Sequence, residues 1–220
     1  MPVDPTADLV ITCYDWVPPF AQGHVRDLRA RWACEEIDLP YAERFIDVMN
    51  KPGDFAKEQP FSQVPVLDDG GVHLFESGAI LLHIAAKDQR LLPADPQVRA
   101  SAISWVFAAY SSVEPMISEL VNIMLFAKDE EWAKLRRPSL ETRIAARLAA
   151  LESALGDRQW LAGPFTIADV AMGSVLREIE TLPSGLSAYR DRLTARPAFR
   201  RALEAQLAGF TAPTPANWKD

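Results

Sequence analysis

The stretch Gln59-Pro-Phe-Ser-Gln-Val-Pro-Val-Leu67, continued by Asp68-Asp-Gly-Gly71 and Val72-His-Leu-Phe-Glu-Ser-Gly-Ala-Ile80, decides the fold. Two short apolar runs, Val64-Pro-Val-Leu67 and Val72-His-Leu-Phe75, flank an Asp-Asp-Gly-Gly turn, which is the pattern of a β-hairpin. From Ser77 to Lys87 the apolar residues switch to helical spacing. Proline is uncommon at the head of a paired strand because it has no N–H to give to the ladder. A cis Val64–Pro65 bond is a geometry that accommodates it, and cis X-Pro bonds mark tight, functionally placed turns. Such a turn leaves the Val64 N–H and C=O for an extended peptide, strand against strand. Glu76-Ser77 stands where the hairpin gives way to the helix. The first N–H groups of a helix are unpaired and lie at the positive end of its dipole. The Ser77 hydroxyl and N–H there suit a carboxylate, and Glu76 suits an ammonium. Together they suit a small zwitterion such as an amino-acid end.

On the N-terminal side, Leu9-Val-Ile-Thr-Cys-Tyr14 reads as a buried strand. Val25, Leu28 and Trp32 recur at helical spacing up to about Ile37, with Arg26, Asp27, Arg29 and Arg31 between them, and Tyr41 to Val48 reads as a second strand. The order is β-α-β, a mostly irregular stretch, then β-β-α. On the C-terminal side no strand pattern appears. Residues 88–97 hold two prolines and read as a linker. Apolar Ile103, Phe107, Tyr110, Ile117, Val121 and Met124 predict one long amphipathic helix over about 98–128, kinked at Pro115. Ser139 is placed to cap a second helix carrying Ile144, Leu148, Leu151 and Leu155, which ends at Gly156. Thr166-Ile-Ala-Asp169 has the form of a capping box with Asp in place of Glu, and two shorter helices follow near 187–194 and 197–207. The expected architecture is therefore a small α/β domain over residues 1–87 and an all-α domain over 98–220.

Composition narrows the function classes. The 220 residues carry 23 Lys plus Arg against 30 Asp plus Glu, a net charge of -7, which disfavours nucleic acid as a partner. Cys13 and Cys34 are too few for a disulfide scaffold, form no C-x-x-C pair and have no metal spacing with His24, His73 and His83, so no metal is expected. No run approaches the roughly 18 apolar residues of a membrane span, and the N-terminus has no signal-peptide core; the simplest expectation is a cytoplasmic protein with no membrane partner.

The combination of motifs resembles the glutathione S-transferase superfamily of the cytosolic type. Gln59 to Leu67, Asp69-Gly, and Phe75-Glu-Ser-Gly-Ala-Ile80 are similar to its glutathione-binding signature. Arg31-Trp-Ala-Cys-Glu-Glu36 with Leu39-Pro-Tyr41 is similar to the end of its first helix, and Phe165-Thr-Ile-Ala-Asp-Val170 to the capping motif of its helical domain. The resemblance spans roughly residues 9–207. It implies a thioredoxin-like α/β domain followed by an all-α domain, usually in a homodimer. It further implies that glutathione is the co-substrate. Val64 would pair its backbone with the cysteinyl part, with Pro65 in cis; Glu76 and Ser77 would hold the γ-glutamyl end; and Gln63 would add a contact. The implied reaction is attack of the glutathione thiolate on a small, largely apolar electrophile.

That chemistry needs a thiolate, whereas a cysteine thiol has a pKa of about 8.5. Members of the superfamily usually place Tyr, Ser or Cys between the first strand and the first helix to donate to the sulfur. The connection here, Tyr14-Asp-Trp-Val-Pro-Pro-Phe-Ala-Gln-Gly-His24, is long and contains no serine, and His24, Val25 and Arg26 stand where Ser or Cys is common. Tyr14 at the strand end is the candidate activator, and packing against the core is the competing reading of the same residue. Cys13 and Cys34 are expected to be buried and structural. The missing hydroxyl keeps two alternatives open: a non-catalytic glutathione-fold binding module, and a related glutathione-dependent isomerase or dehalogenase.

Overall fold

A computed structural model describes residues 2–216 and Trp218. The chain divides into two compact units, residues 1–88 with 196–220, and residues 89–195.

In the first unit, β1 (Leu9–Tyr14), α1 (Asp27–Glu36), β2 (Ala42–Ile46), the one-turn α2 (Phe55–Glu58), β3 (Val66–Asp69), β4 (Val72–Phe75) and α3 (Ser77–Ala85) follow the expected order. The sheet runs β2-β1-β3-β4, with β1 and β2 parallel and the other pairs antiparallel. This is the thioredoxin-like arrangement. β1 and β3 are buried because apolar side chains fill them; β4, at the sheet edge, is largely exposed.

α1 departs from the two-faced helix that its sequence suggests. Asp27, Arg29, Arg31 and Glu35 are all buried, alongside Leu28 and Trp32. The reason lies at the far end of the chain. α9 (Pro197–Gly209) packs along α1, with Phe199 edge-on to Trp32 at 4.9 Å. Buried charge is tolerated only when it is paired. Arg31 donates to Asp27 at 2.7 Å and also pairs with Glu43. Gln206 of α9 donates to Asp27 at 2.7 Å, Arg201 pairs with Glu35 at 2.5 Å, and Arg196 pairs with Glu36 at 2.6 Å. The described residues from 196 onward, read from pattern as part of the helical domain, thus belong to the first unit.

The second unit holds α4 (Pro96–Phe107), a π-helical segment over Ala108–Val113, α5 (Glu114–Phe126), α6 (Glu131–Leu155), α7 (Ile167–Leu176) and α8 (Ser184–Thr194). The single long helix expected over 98–128 is broken where it was expected to kink. Pro115 cannot donate to a carbonyl one turn back, and the turn before it widens into the π segment. Its buried stripe is Ala102, Val106, Ala109, Val113 and Ile117, whereas Phe107 and Met124 of the expected stripe are exposed. Ser139 caps nothing: α6 begins at Glu131 and runs through Pro138, so Ser139 lies inside it. Ile144, Leu148, Leu151 and Leu155 form its buried face. The Thr166–Asp169 capping box is formed at the start of α7.

Candidate functional site

Strand register brings the sequence-predicted residues to one end of the sheet. β3 pairs with β4 with Val66 opposite Phe75, so Pro65 and Glu76 leave the ladder side by side. β1 pairs with β3 through Ile11 opposite Leu67, and the same register carried three residues further sets Tyr14 opposite Val64. Neighbouring strands lie about 4.8 Å apart, so Tyr14, Val64-Pro65 and Glu76-Ser77 span roughly 10 Å along one sheet end.

The Val64–Pro65 bond is cis. The loop leading into it is held by Gln59, a buried residue whose side-chain oxygen accepts from the Phe61 amide at 2.5 Å and the Gln63 amide at 3.2 Å. Two backbone donors would otherwise compete for water or distort the turn. Ser62 between them adopts φ +53, a left-handed conformation that the clamp sustains. The Gln63 side chain itself is exposed.

Tyr14 is half-buried and packs against the cluster of Ile46, Phe55, Val64 and Val66. Its hydroxyl lies near the Val64 backbone. Burial raises its pKa above the ordinary tyrosine value of 10.0, against the pull of that backbone, so the phenol carries its proton at neutral pH. Lys51 lies 5.7 Å from the centre of its ring. The ring of Tyr14 thus packs against the core, as the competing reading of this residue has it, and its hydroxyl lies near the backbone of the cis-proline turn.

Glu76 precedes α3 with φ +70 and makes no side-chain cap to the helix; it is exposed. Ser77, the first residue of α3, is buried, and its Oγ accepts a hydrogen bond from Arg29 Nη1 at 3.0 Å. Arg29 lies midway between Asp27 and Arg31 in α1, two residues from each, and so on the other side of the helix. It was read from sequence as one of the polar residues between the apolar ones; only its partner 48 positions away reveals the role. The Gln59 clamp was likewise missed, since a glutamine before proline carries no signal of its own.

Neither cysteine joins the site. Cys13 is 1% exposed, with its Sγ 2.9 Å from Arg31 Nη2. Burial first, then the charge of Asp27, pushes its pKa well above the ordinary thiol value, which removes the thiolate. Cys34 is buried inside α1 and raised by the same cause. His24 and Arg26 are exposed at the approach to α1. Among the described residues, no group of three or more His, Cys, Asp or Glu side chains is placed to hold a metal ion, and no helix is long and apolar enough to cross a membrane.

Residues 10–86 match the family model described as the glutathione S-transferase N-terminal domain. A glutathione S-transferase of Hyoscyamus muticus is 30% identical over 200 residues, which covers 80% of this chain and 92% of the relative. A disulfide-bond oxidoreductase of Escherichia coli, YfcG, is 29% identical over 79% of this chain and 88% of its own length. Among solved structures, a theta class glutathione S-transferase from Xanthomonas axonopodis pv. citri with glutathione bound superposes with a TM-score of 0.76 at 25% identity, covering 92% of this chain and all of the other.

Proposed function

The chain belongs to the glutathione S-transferase superfamily, and we propose that it is a glutathione transferase that conjugates the thiolate of glutathione to a small, largely apolar electrophile. The observation that carries this reading is that the strand registers and the cis Val64–Pro65 turn bring Tyr14, Val64 and Glu76-Ser77 to one end of the sheet. Glutathione lying along the cis-proline turn would pair its cysteinyl backbone with Val64 and bring the cysteinyl sulfur beside the phenol of Tyr14. Glu76 and Ser77 would take the ammonium and carboxylate of the γ-glutamyl end, with Gln63 adjacent.

The raised pKa of Tyr14 suits a donor. A phenol that keeps its proton is a donor to the sulfur and not a base, so it stabilises the thiolate while the thiol proton passes to solvent. The thiolate then forms the carbon–sulfur bond, and the leaving group departs with the bonding pair. Lowering a thiol pKa by two units takes roughly 2.7 kcal/mol, which a donor at the sulfur and the start of α1 supply together. A homodimer in the cytoplasm is the setting that the family resemblance implies.

A second reading is favoured by one feature: His24, Val25 and Arg26 offer no hydroxyl at the start of α1. In a non-catalytic binding module, glutathione would bind and remain a thiol. A reductase working through a protein cysteine is disfavoured because both cysteines are buried. Isomerisation or dehalogenation would use the same thiolate. The distinguishing experiment follows thioether formation from glutathione and an activated aryl chloride. A rate well above the uncatalysed reaction is expected; calorimetric glutathione binding with no rate enhancement across a panel of electrophiles would favour the binding module.

A further inference from the structure

The bond from Arg29 to Ser77 has a directional consequence. A serine hydroxyl has one proton and two lone pairs, and a guanidinium has donors only. When Arg29 Nη1 donates to Ser77 Oγ at 3.0 Å, one lone pair is occupied and Arg29 cannot accept the proton in return. The Ser77 hydroxyl is thereby oriented as a donor toward some other acceptor. Both residues are buried, Arg29 at 5% and Ser77 at 8% exposure, so the bond is shielded from water. That orientation, together with the positive end of α3, favours a carboxylate at this point.

We infer that Arg29 is a positioning residue for the ligand carboxylate at the start of α3, acting through Ser77. The inference rests on the reading of this site as the γ-glutamyl pocket. It assigns to α1 a recognition role: α1 supplies the residue that keeps Ser77 in its donor state, and α9 holds α1 in place through Gln206, Arg201 and Arg196.

The test compares two ligands by calorimetry. One is glutathione. The other is its analogue with 4-aminobutyryl in place of γ-glutamyl, which lacks only the α-carboxylate. The native protein should prefer glutathione by roughly tenfold or more, as expected of a hydrogen bond to a charged group. Arg29→Met should reduce that preference to about twofold, with Arg29→Lys between the two. The KM for glutathione should rise in Arg29→Met, while kcat at saturating glutathione stays within about threefold of the native value. A contact that only tied α1 to α3 would shift affinity for both ligands alike and leave the preference intact.

Should Arg29→Met fail to fold, Ser77→Ala removes the group through which Arg29 acts and must collapse the same preference. Folded Arg29→Met or Ser77→Ala protein that keeps the native preference overturns the assignment to Arg29 and leaves the glutathione site standing. A native protein that binds glutathione with no preference over the analogue also overturns it. A native protein that binds neither ligand overturns the glutathione reading, and the inference with it.

Discussion

Two helices of this chain begin in opposite ways. At the start of α7 every polar group is satisfied internally. The Thr166 side chain accepts from the Ala168 amide at 3.3 Å, and Asp169 Oδ2 accepts from the Thr166 amide at 2.9 Å. Asp169 Oδ1 accepts from the Leu161 amide at 3.0 Å and the Tyr189 hydroxyl at 2.7 Å. At the start of α3 the residues are of similar type, an acid and a hydroxyl, but neither serves its own helix. Glu76 makes no cap and is exposed at φ +70, and Ser77 takes its bond from Arg29. A left-handed conformation in a residue other than glycine costs about 1–2 kcal/mol, so α3 begins at a disadvantage that α7 avoids. The contrast separates a hydrogen-bonded box that stabilises the fold from a helix end that the proposed site leaves to a ligand.

Substitutions on each side should divide along that line. The largest effect is expected for Asp169→Ala, which strands three buried donors. It should lower stability by about 3 kcal/mol or more in chemical denaturation, with glutathione affinity of the folded protein unchanged. A loss of affinity without a loss of stability would erase the contrast. Next is Tyr14→Phe, which keeps the ring in its cluster and removes the donor. A fall of roughly 100-fold in kcat/KM, equivalent to about 2.7 kcal/mol, is expected, with glutathione affinity little changed. The pH profile of the native enzyme sharpens this. Activity should rise through the pKa of the bound thiol and then hold level across the mildly alkaline range, because burial raises Tyr14 above the ordinary tyrosine value and keeps it a donor there.

Ser77→Ala should weaken glutathione binding by about tenfold, or 1.4 kcal/mol, and lower stability by less than Asp169→Ala does, since it strands one donor of Arg29. Glu76→Gly is the smallest and the most telling. It should stabilise the protein by up to about 1 kcal/mol, since glycine adopts φ +70 without strain, while weakening glutathione binding. Weaker binding together with unchanged or lower stability would mean that the turn is not held against its own preference.

The hairpin, the Glu76-Ser77 junction and the Thr166–Asp169 box were legible in the sequence because each is local: turn residues, period and cap lie within a few positions. The buried charges of α1 were not. Asp27, Arg29 and Arg31 alternate with apolar residues as on any surface helix, and their partners come from elsewhere in the chain: Gln206 of α9 for Asp27, Ser77 of α3 for Arg29 and Glu43 of β2 for Arg31. Arg29 became readable only through Ser77, and Gln59 only through the amides it clamps. The helix over 98–128 shows the limit from the other side. Pro115 correctly marks an irregularity, but the sequence does not say that the preceding turn widens, nor that α4 buries Ala102 and Val106 and leaves Phe107 exposed.

The decisive measurement is a titration of the purified native protein with glutathione at neutral pH, following thiolate absorbance in the ultraviolet. If Val64, Glu76 and Ser77 hold glutathione and Tyr14 donates to its sulfur, a saturable thiolate signal appears, with an apparent thiol pKa below the free value of about 8.5. Absence of that signal, together with absence of binding heat in the same sample, would contradict both the site and the transferase reading built on it.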